Sequence, residues 1–233
     1  MNLPYFFENT ITTASTHFTL SEETSKHCIQ VLRMREGEQL QLTDGKGLLN
    51  TATIIEANKK HCVVRMDHSS IQQPAGRKIS IAVSLLKNNN RFEWLLEKVT
   101  ELGVQEIIPL ICKRTEKQHF RFDRMQQILI SAMLQSKQCW LPVLHEPAAF
   151  SDVVQESLYN QKIIAHCEDE QKHTLNSLAP YHQAQILIGP EGDFTPEEII
   201  LALQHQYIPV SLGNTRLRTE TAGVTAAALL MHL

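Results

Sequence analysis

The chain has no run approaching the roughly 18 apolar residues that a membrane-spanning helix requires. Its start, Met1-Asn2-Leu3-Pro4-Tyr5, lacks the basic region and apolar stretch of a secretory signal. No membrane partner is expected, and the cytoplasm is the default location. Cysteine is sparse: Cys28, Cys62, Cys112, Cys139 and Cys167 are odd in number and scattered, with no CxxC pair. That excludes a disulfide framework or a thiolate zinc site as the organising principle and fits a reducing compartment. The eleven histidines show no HExxH or other paired spacing, so no metal is expected. Glycine is scarce, and the one close pair, Gly45-Lys46-Gly47, lacks a third glycine and a following helix. It reads as a hairpin, not a dinucleotide-binding fingerprint. Internal repeats and low-complexity tracts are absent.

An overall excess of positive charge is also missing. A net charge of −3 and a pI near 6.4 look wrong for a nucleic-acid enzyme, because phosphate contacts dominate such affinities. The distribution is uneven, however. Residues 77–137 hold eleven Lys/Arg against six Asp/Glu, a local +5, whereas 146–198 hold two against ten, a local −8. One surface can therefore be basic on an acidic molecule, as an RNA footprint requires, although two ordinary solvated faces give the same count.

With 233 residues and 42% hydrophobic content the chain can bury one large core or two smaller ones. The first seventy residues are strand-like, with short apolar runs at 38–44, 51–56 and 62–66 separated by turn material, which suggests a small β-barrel. Residues 69–76, with Gln72-Gln73-Pro74 and Gly76, read as a linker. Beyond it strands at 79–85, 105–111, 162–166, 185–188 and 208–211 alternate with helices at 92–102, 121–138, 196–205 and 220–232. Such alternation predicts an α/β domain with a parallel sheet covered on both faces.

Two glycine loops in this second half carry most information. Ile188-Gly189-Pro190-Glu191-Gly192 follows the apolar run 185–188 and leads to Thr195-Pro196-Glu197-Glu198, which writes out a helix start: N-cap threonine, proline at the first helical position, glutamate closing a capping box. Leu212-Gly213 follows Ile208-Pro209-Val210-Ser211 and continues through Leu217-Arg218-Thr219-Glu220-Thr221-Ala222 into an Ala/Leu-rich stretch, apolar almost all round, that belongs in the core or a subunit interface. Ligands bind at such strand-to-helix turns in α/β folds, and glycine lets the backbone come close to them.

The two loops, GPEGD and LGNTRLRTETA, resemble the cofactor-binding half of the SPOUT methyltransferases, and more narrowly the bacterial RsmE-type family. Upstream blocks fit as well: Lys87 and Arg91, then Glu97-Lys98-Val99-Thr100-Glu101-Leu102-Gly103-Val104, Ile107-Ile108-Pro109-Leu110, Arg114 and Gln135-Ser136. The matches run from about residue 20 to the C-terminus. The resemblance implies a PUA-like β-barrel that binds RNA over residues 1–72. It implies a SPOUT α/β domain over 73–233 whose last segment forms a C-terminal trefoil knot, binds the cofactor and dimerises. The implied activity is S-adenosylmethionine-dependent methylation of N3 of a uridine in 16S ribosomal RNA of the small ribosomal subunit, by a homodimer, without metal.

By the same resemblance the methyl donor rests on Leu187, Ile188, Gly189, Glu191, Gly192, Leu212, Gly213, Leu217, Arg218 and Thr221. Arg218 and Arg114 are the catalytic candidates, supplying positive charge near the deprotonated base, and Lys87, Arg91, Lys98, Arg114 and Gln135 are the RNA-contact candidates. Blander roles stand beside these. Arg218 can pair with Glu220, Lys98 with Glu101 one helical turn away, and Glu191 can bond backbone amides. Gln135 can order a dimer contact instead of touching RNA. Cys139 has no base at a recognisable spacing, which disfavours covalent C5-type methylation. The chain departs from the family at Asp193, where glycine is usual, and at Thr215 and Arg216, where an arginine and an apolar residue are usual. Tyr5 and the neighbourhood of Gln138 and Trp140 also lack customary arginines. The alternatives are another SPOUT enzyme acting on a ribose oxygen or a transfer-RNA base, or a non-catalytic RNA-binding assembly factor.

Overall fold

The computed structural model describes residues 3–116, 119–168, 172–178 and 181–232. Lys117, Asp169 and Glu170, counted in the charge runs above, lie outside these residues. The chain separates into two compact units, residues 1–74 with 133–141, and residues 75–132 with 142–233. The segment 133–141, assigned to the second domain on sequence, thus groups with the N-terminal unit.

The N-terminal unit is a five-stranded sheet in the order β1 (Tyr5–Phe7), β3 (Gln39–Thr43), β4 (Leu48–Glu56), β5 (Val63–Ile71), β2 (His17–Thr19). Among the described residues it is open: β1 and β2 form its two edges, so the expected barrel is a half-barrel. Inward positions of β4 alternate as a one-sided strand demands, and Leu40, Leu42, Ala52, Ile54 and Val64 are fully buried with Cys28 and Cys62. The Asp44–Gly47 hairpin forms as expected. Asp44 Oδ1 accepts from the amides of Lys46 and Leu48 at 2.7 and 3.0 Å. Gly47, at φ 97°, leaves room for the Trp140 ring, which a Cβ there would approach to 2.5 Å. The supposed linker from 69 is shorter, because Ser69, Ser70 and Ile71 pair with β4 as the end of β5. Two further elements give no period long enough to read: α1 (Glu22–Lys26) and the π-helical turn after it, 27–31.

The C-terminal unit is a parallel sheet in the order β11 (His173–Thr174), β13 (Ile208–Ser211), β10 (Gln161–Ala165), β12 (Gln183–Ile188), β6 (Lys78–Ser84), β7 (Glu106–Ile111), β8 (Val143–Leu144), with β9 (Ala148–Ala149) also on β7. Central strands β6 and β12 are buried almost throughout, which explains their unbroken apolar sequence. The helices are α2 (Asn89–Glu101), α3 (Phe122–Gln135), α4 (Phe150–Glu156), α5 (Pro196–Gln204) and α6 (Thr219–His232). Helix α2 starts on the Asn88 cap and stops at Gly103, whose φ of 86° suits a helix end. At α5 the Thr195–Glu198 capping box is present with Pro196 in the first turn. Helix α4 is too short to carry a readable period, yet its Phe150 joins Phe194, Leu187 and Ile199 in the core.

Helix α6 packs on α2, β6 and β12. Gly223 permits a close approach there: a Cβ at that position would stand 2.7 Å from Leu95 Cδ1. The Arg77 guanidinium and the Tyr181 hydroxyl both donate to Leu230 O at 3.3 Å, closing the helix C-terminus. No helix among the described residues is long and apolar enough to cross a membrane.

Candidate active site

Strand order decides where the ligand loops meet. Because β13, β10 and β12 are neighbours, the loops at their carboxyl ends lie side by side, at the place where open parallel sheets bind ligands. These loops are 166–168, 189–195 and 212–218. Two adjoining clefts of about 340 and 450 Å3 open among them, sharing Ala165, Cys167, Arg216, Leu217 and Ala222 as walls. Ile188, Gly189, Pro190 and Glu191 line the first, while Leu212, Gly213, Asn214 and Thr215 line the second. The combined size suits a small-molecule ligand.

The loop after β12 is pinned from three directions. Thr219, buried at the start of α6, donates its hydroxyl to Gly189 O at 3.0 Å. Arg114 donates Nη1 to Gly192 O at 2.7 Å and to Phe194 O at 3.2 Å. Asp193 sits at φ 64° and accepts from Phe194 N at 2.8 Å and Cys167 N at 2.7 Å. Gly189 relieves a tight spot, since a Cβ there would lie 3.2 Å from the Phe194 ring and amide and would need Phe194 to give by a few tenths of an ångström. The loop after β13 is held differently. Its side-chain bonds among the described residues are the Ser211 hydroxyl to Gly213 O and the Gly213 amide to Ser211, at 2.9 and 3.3 Å. Gly213, at φ 145°, adopts a conformation that side chains rarely enter.

The residues expected to hold the donor separate on inspection. Ile188, Gly189, Glu191, Leu212, Gly213, Leu217 and Arg218 line the clefts. Leu187 points into the core among Phe150, Phe194 and Ile199, because adjacent strand residues face opposite sides. Gly192 lies over the Arg114 side chain instead of lining a cleft. Thr221 is exposed on α6, two residues past Thr219, which faces the loop.

The cationic candidates divide as well. Arg218 is exposed at the cleft wall, and among the described residues its guanidinium has no ion pair or hydrogen bond. The alternative pairing with Glu220 is not what forms. Glu220 is buried, and its carboxylate lies 3.6 Å from Arg91. Lys87 pairs with Glu116 at 2.8 Å, an interaction that raises its pKa. Lys98 pairs with both Glu97 and Glu101, at 2.7 and 2.9 Å. Arg124 pairs with Glu93 at 2.9 Å. Lys87, Lys98 and Arg124 thus pair with acids already counted within 77–137, so these pairs leave the net positive balance of that segment in place. Gln135 is exposed at the end of α3, within the segment that groups with the N-terminal unit.

Sequence reasoning overlooked the 166–168 loop and Asp193's part in holding it. A strand ending near 165 was readable, but nothing in the residues says that it lies between β12 and β13. Cys167 is exposed in the cleft; burial first, then the neighbouring Asp193 charge, raises its thiol pKa, so the thiol stays protonated at neutral pH. Burial likewise pushes up Cys139. Neither has the thiolate character of a covalent catalyst. Among the described residues no group of three or more His, Cys, Asp or Glu side chains could hold a metal ion.

Residues 73–231 match the model of an RNA methyltransferase domain and 20–67 that of an RNA methyltransferase PUA domain. The chain belongs to the RsmE-type family of RNA methyltransferases. It is 30% identical to Ribosomal RNA small subunit methyltransferase E of Synechocystis sp., over 96% of this chain and 73% of the relative. A probable rRNA-methyltransferase of Porphyromonas gingivalis superposes with a TM-score of 0.91 at 35% identity, over 98% and 97% of the two chains. Ribosomal RNA small subunit methyltransferase E of Neisseria gonorrhoeae, solved with S-adenosyl methionine bound, superposes with a TM-score of 0.90 at 27% identity, again over 98% and 97%. Within this RsmE-type framework Asp193, Thr215 and Arg216, departures noted on sequence, all stand in the cleft walls.

Proposed function

We propose that the chain methylates N3 of a uridine in 16S ribosomal RNA of the small ribosomal subunit, using S-adenosylmethionine, as a homodimer in the cytoplasm. The observation that carries this reading is the cleft at the carboxyl ends of β13, β10 and β12, walled by two glycine loops whose backbones are open to a ligand. Backbone and apolar groups at Ile188, Gly189, Leu212 and Leu217 stand in the cleft walls beside charged side chains, a mixture that fits a donor with both an adenosine and a charged amino-acid end. When bound, the donor supplies a methyl group already activated on a sulfonium.

The protein's own residues then have three tasks. The pinned loop 189–194 and the loop 212–217 hold and orient the donor for in-line transfer. Arg218, unpaired at the wall, supplies positive charge where the uridine imide becomes anionic on losing its proton. Arg114 acts through the loop, fastening Gly192 and Phe194 by their carbonyls while its stem lies beneath Gly192. RNA contacts fall to the N-terminal unit and to cations at the cleft, Arg216 and Arg218. Lys87, Arg91 and Lys98 already have carboxylate partners to exchange.

A trefoil knot fits the path of the chain. From β13 the segment 212–218 must pass the ends of β10 and β12 to place α6 on β6 and α2, and Thr219 bonds Gly189 during that crossing. Helix α6 keeps Val224, Ala228, Leu229 and Met231 half-exposed, an apolar face suited to a second copy. Calorimetric titration with S-adenosylmethionine and mass mapping of ribosomal RNA from a deletion strain test the reading together. A bound donor and one missing uridine methyl are expected; normal methylation in the deletion strain would refute it.

A further inference from the structure

We infer that Asp193 is a positioning residue that sets the width of the donor cleft by clasping the loop after β10 to the loop after β12. The inference rests on the donor-binding reading above and extends it to a residue with no assigned role. One oxygen of its carboxylate accepts from Cys167 N at 2.7 Å, across 26 residues of chain, and the other from Phe194 N at 2.8 Å. Cys167 and Asp193 both line the cleft, on opposite loops. The 2.7 Å bond therefore fixes one wall against the other.

The residue type follows from three demands. The backbone needs φ 64°, a region that aspartate and asparagine enter more readily than other side chains. The side chain must accept from two amides at once, which an ionised carboxylate does and glycine does not. It must also be short, because Asp193 N is itself turned back to Pro190 O at 2.9 Å. Charge-assisted bonds to backbone amides are the stronger kind. A cleft held at its working width before the ligand arrives avoids the ordering cost that a loose loop would add to binding.

The experiment uses the full-length protein as wild type, Asp193→Asn and Asp193→Gly. Calorimetry with S-adenosylmethionine, steady-state methylation of ribosomal RNA, thermal unfolding and amide hydrogen exchange over the 165–168 loop are measured on each. Glycine relieves the positive φ, so Asp193→Gly should fold and melt close to wild type while losing both bonds; asparagine keeps one acceptor. Donor Kd and KM should rise about tenfold in Asp193→Gly and less in Asp193→Asn, with kcat within about threefold and Cys167 exchange faster in the same order. Wild type that ignores the donor overturns the methyl-transfer reading and this role with it. Wild type that binds while Asp193→Gly binds equally well overturns the role of Asp193 alone. A fall in kcat at unchanged KM does the same, and so does unchanged Cys167 exchange.

Discussion

The two glycine loops look alike in sequence and are built on opposite principles. The loop after β12 is held by Thr219 and Arg114 from distant parts of the chain and by its own Asp193, whose carboxylate accepts from the amide of Cys167. The loop after β13 is held, among the described residues, by a local Ser211–Gly213 pair and by the helix that follows it. The first offers a fixed wall, and the second is free to settle on a ligand. Arg218, the unpaired cation, rides at the end of the adaptable one. A site made of one rigid and one compliant wall can preorganise the donor while still admitting a bulky RNA base.

Removing Arg218 should have the largest effect. In Arg218→Ala, kcat on ribosomal RNA should fall about a hundredfold, with donor affinity within about threefold by calorimetry. Normal turnover would show that the compliant loop carries no catalytic charge. Gly189→Ala attacks the rigid wall. A methyl forced 3.2 Å from the Phe194 amide should cost about 1–3 kcal/mol in thermal unfolding and weaken donor binding together with stability. Gly213→Ala should instead weaken donor binding while the melting temperature falls less, because the strain at φ 145° lies in a loop whose side-chain bonds, among the described residues, are local. Equal melting losses for the two variants would erase the contrast between the loops.

Thr219→Val deletes the buried bond to Gly189 and leaves that carbonyl without a donor, a loss of about 1–2 kcal/mol that Thr219→Ser should recover, read by chemical denaturation. Lys98→Met should do least. Its partners Glu97 and Glu101 are solvated, so stability and methylation should both stay at wild-type levels. A clear drop in RNA affinity would return Lys98 to the list of RNA contacts.

Local chemistry was legible wherever a signal is complete within a few residues. The capping box at Thr195–Glu198, the Asp44–Gly47 turn and the apolar strands 185–188 and 208–211 are all of this kind. Short elements such as α4 and β8 were not, since two to seven residues carry no period to recognise. The end of β5 was misread as linker because Ser69 and Ser70 look like turn residues until β4 pairs with them.

What the sequence settled alone was where the longer strands and helices lie, that two glycine turns interrupt them, and the family to which those turns belong. Each of these depends on side chains close together along the chain. Tertiary structure decided that β10 lies between β13 and β12, so that a third loop joins the site. It also decided that Asp193 reaches Cys167, that Thr219 faces Gly189 while Thr221 faces away, and that Glu220 pairs with Arg91 and leaves Arg218 free. Those outcomes rest on hydrogen bonds and strand neighbours tens of residues apart, and no local preference encodes which distant partner a loop will meet.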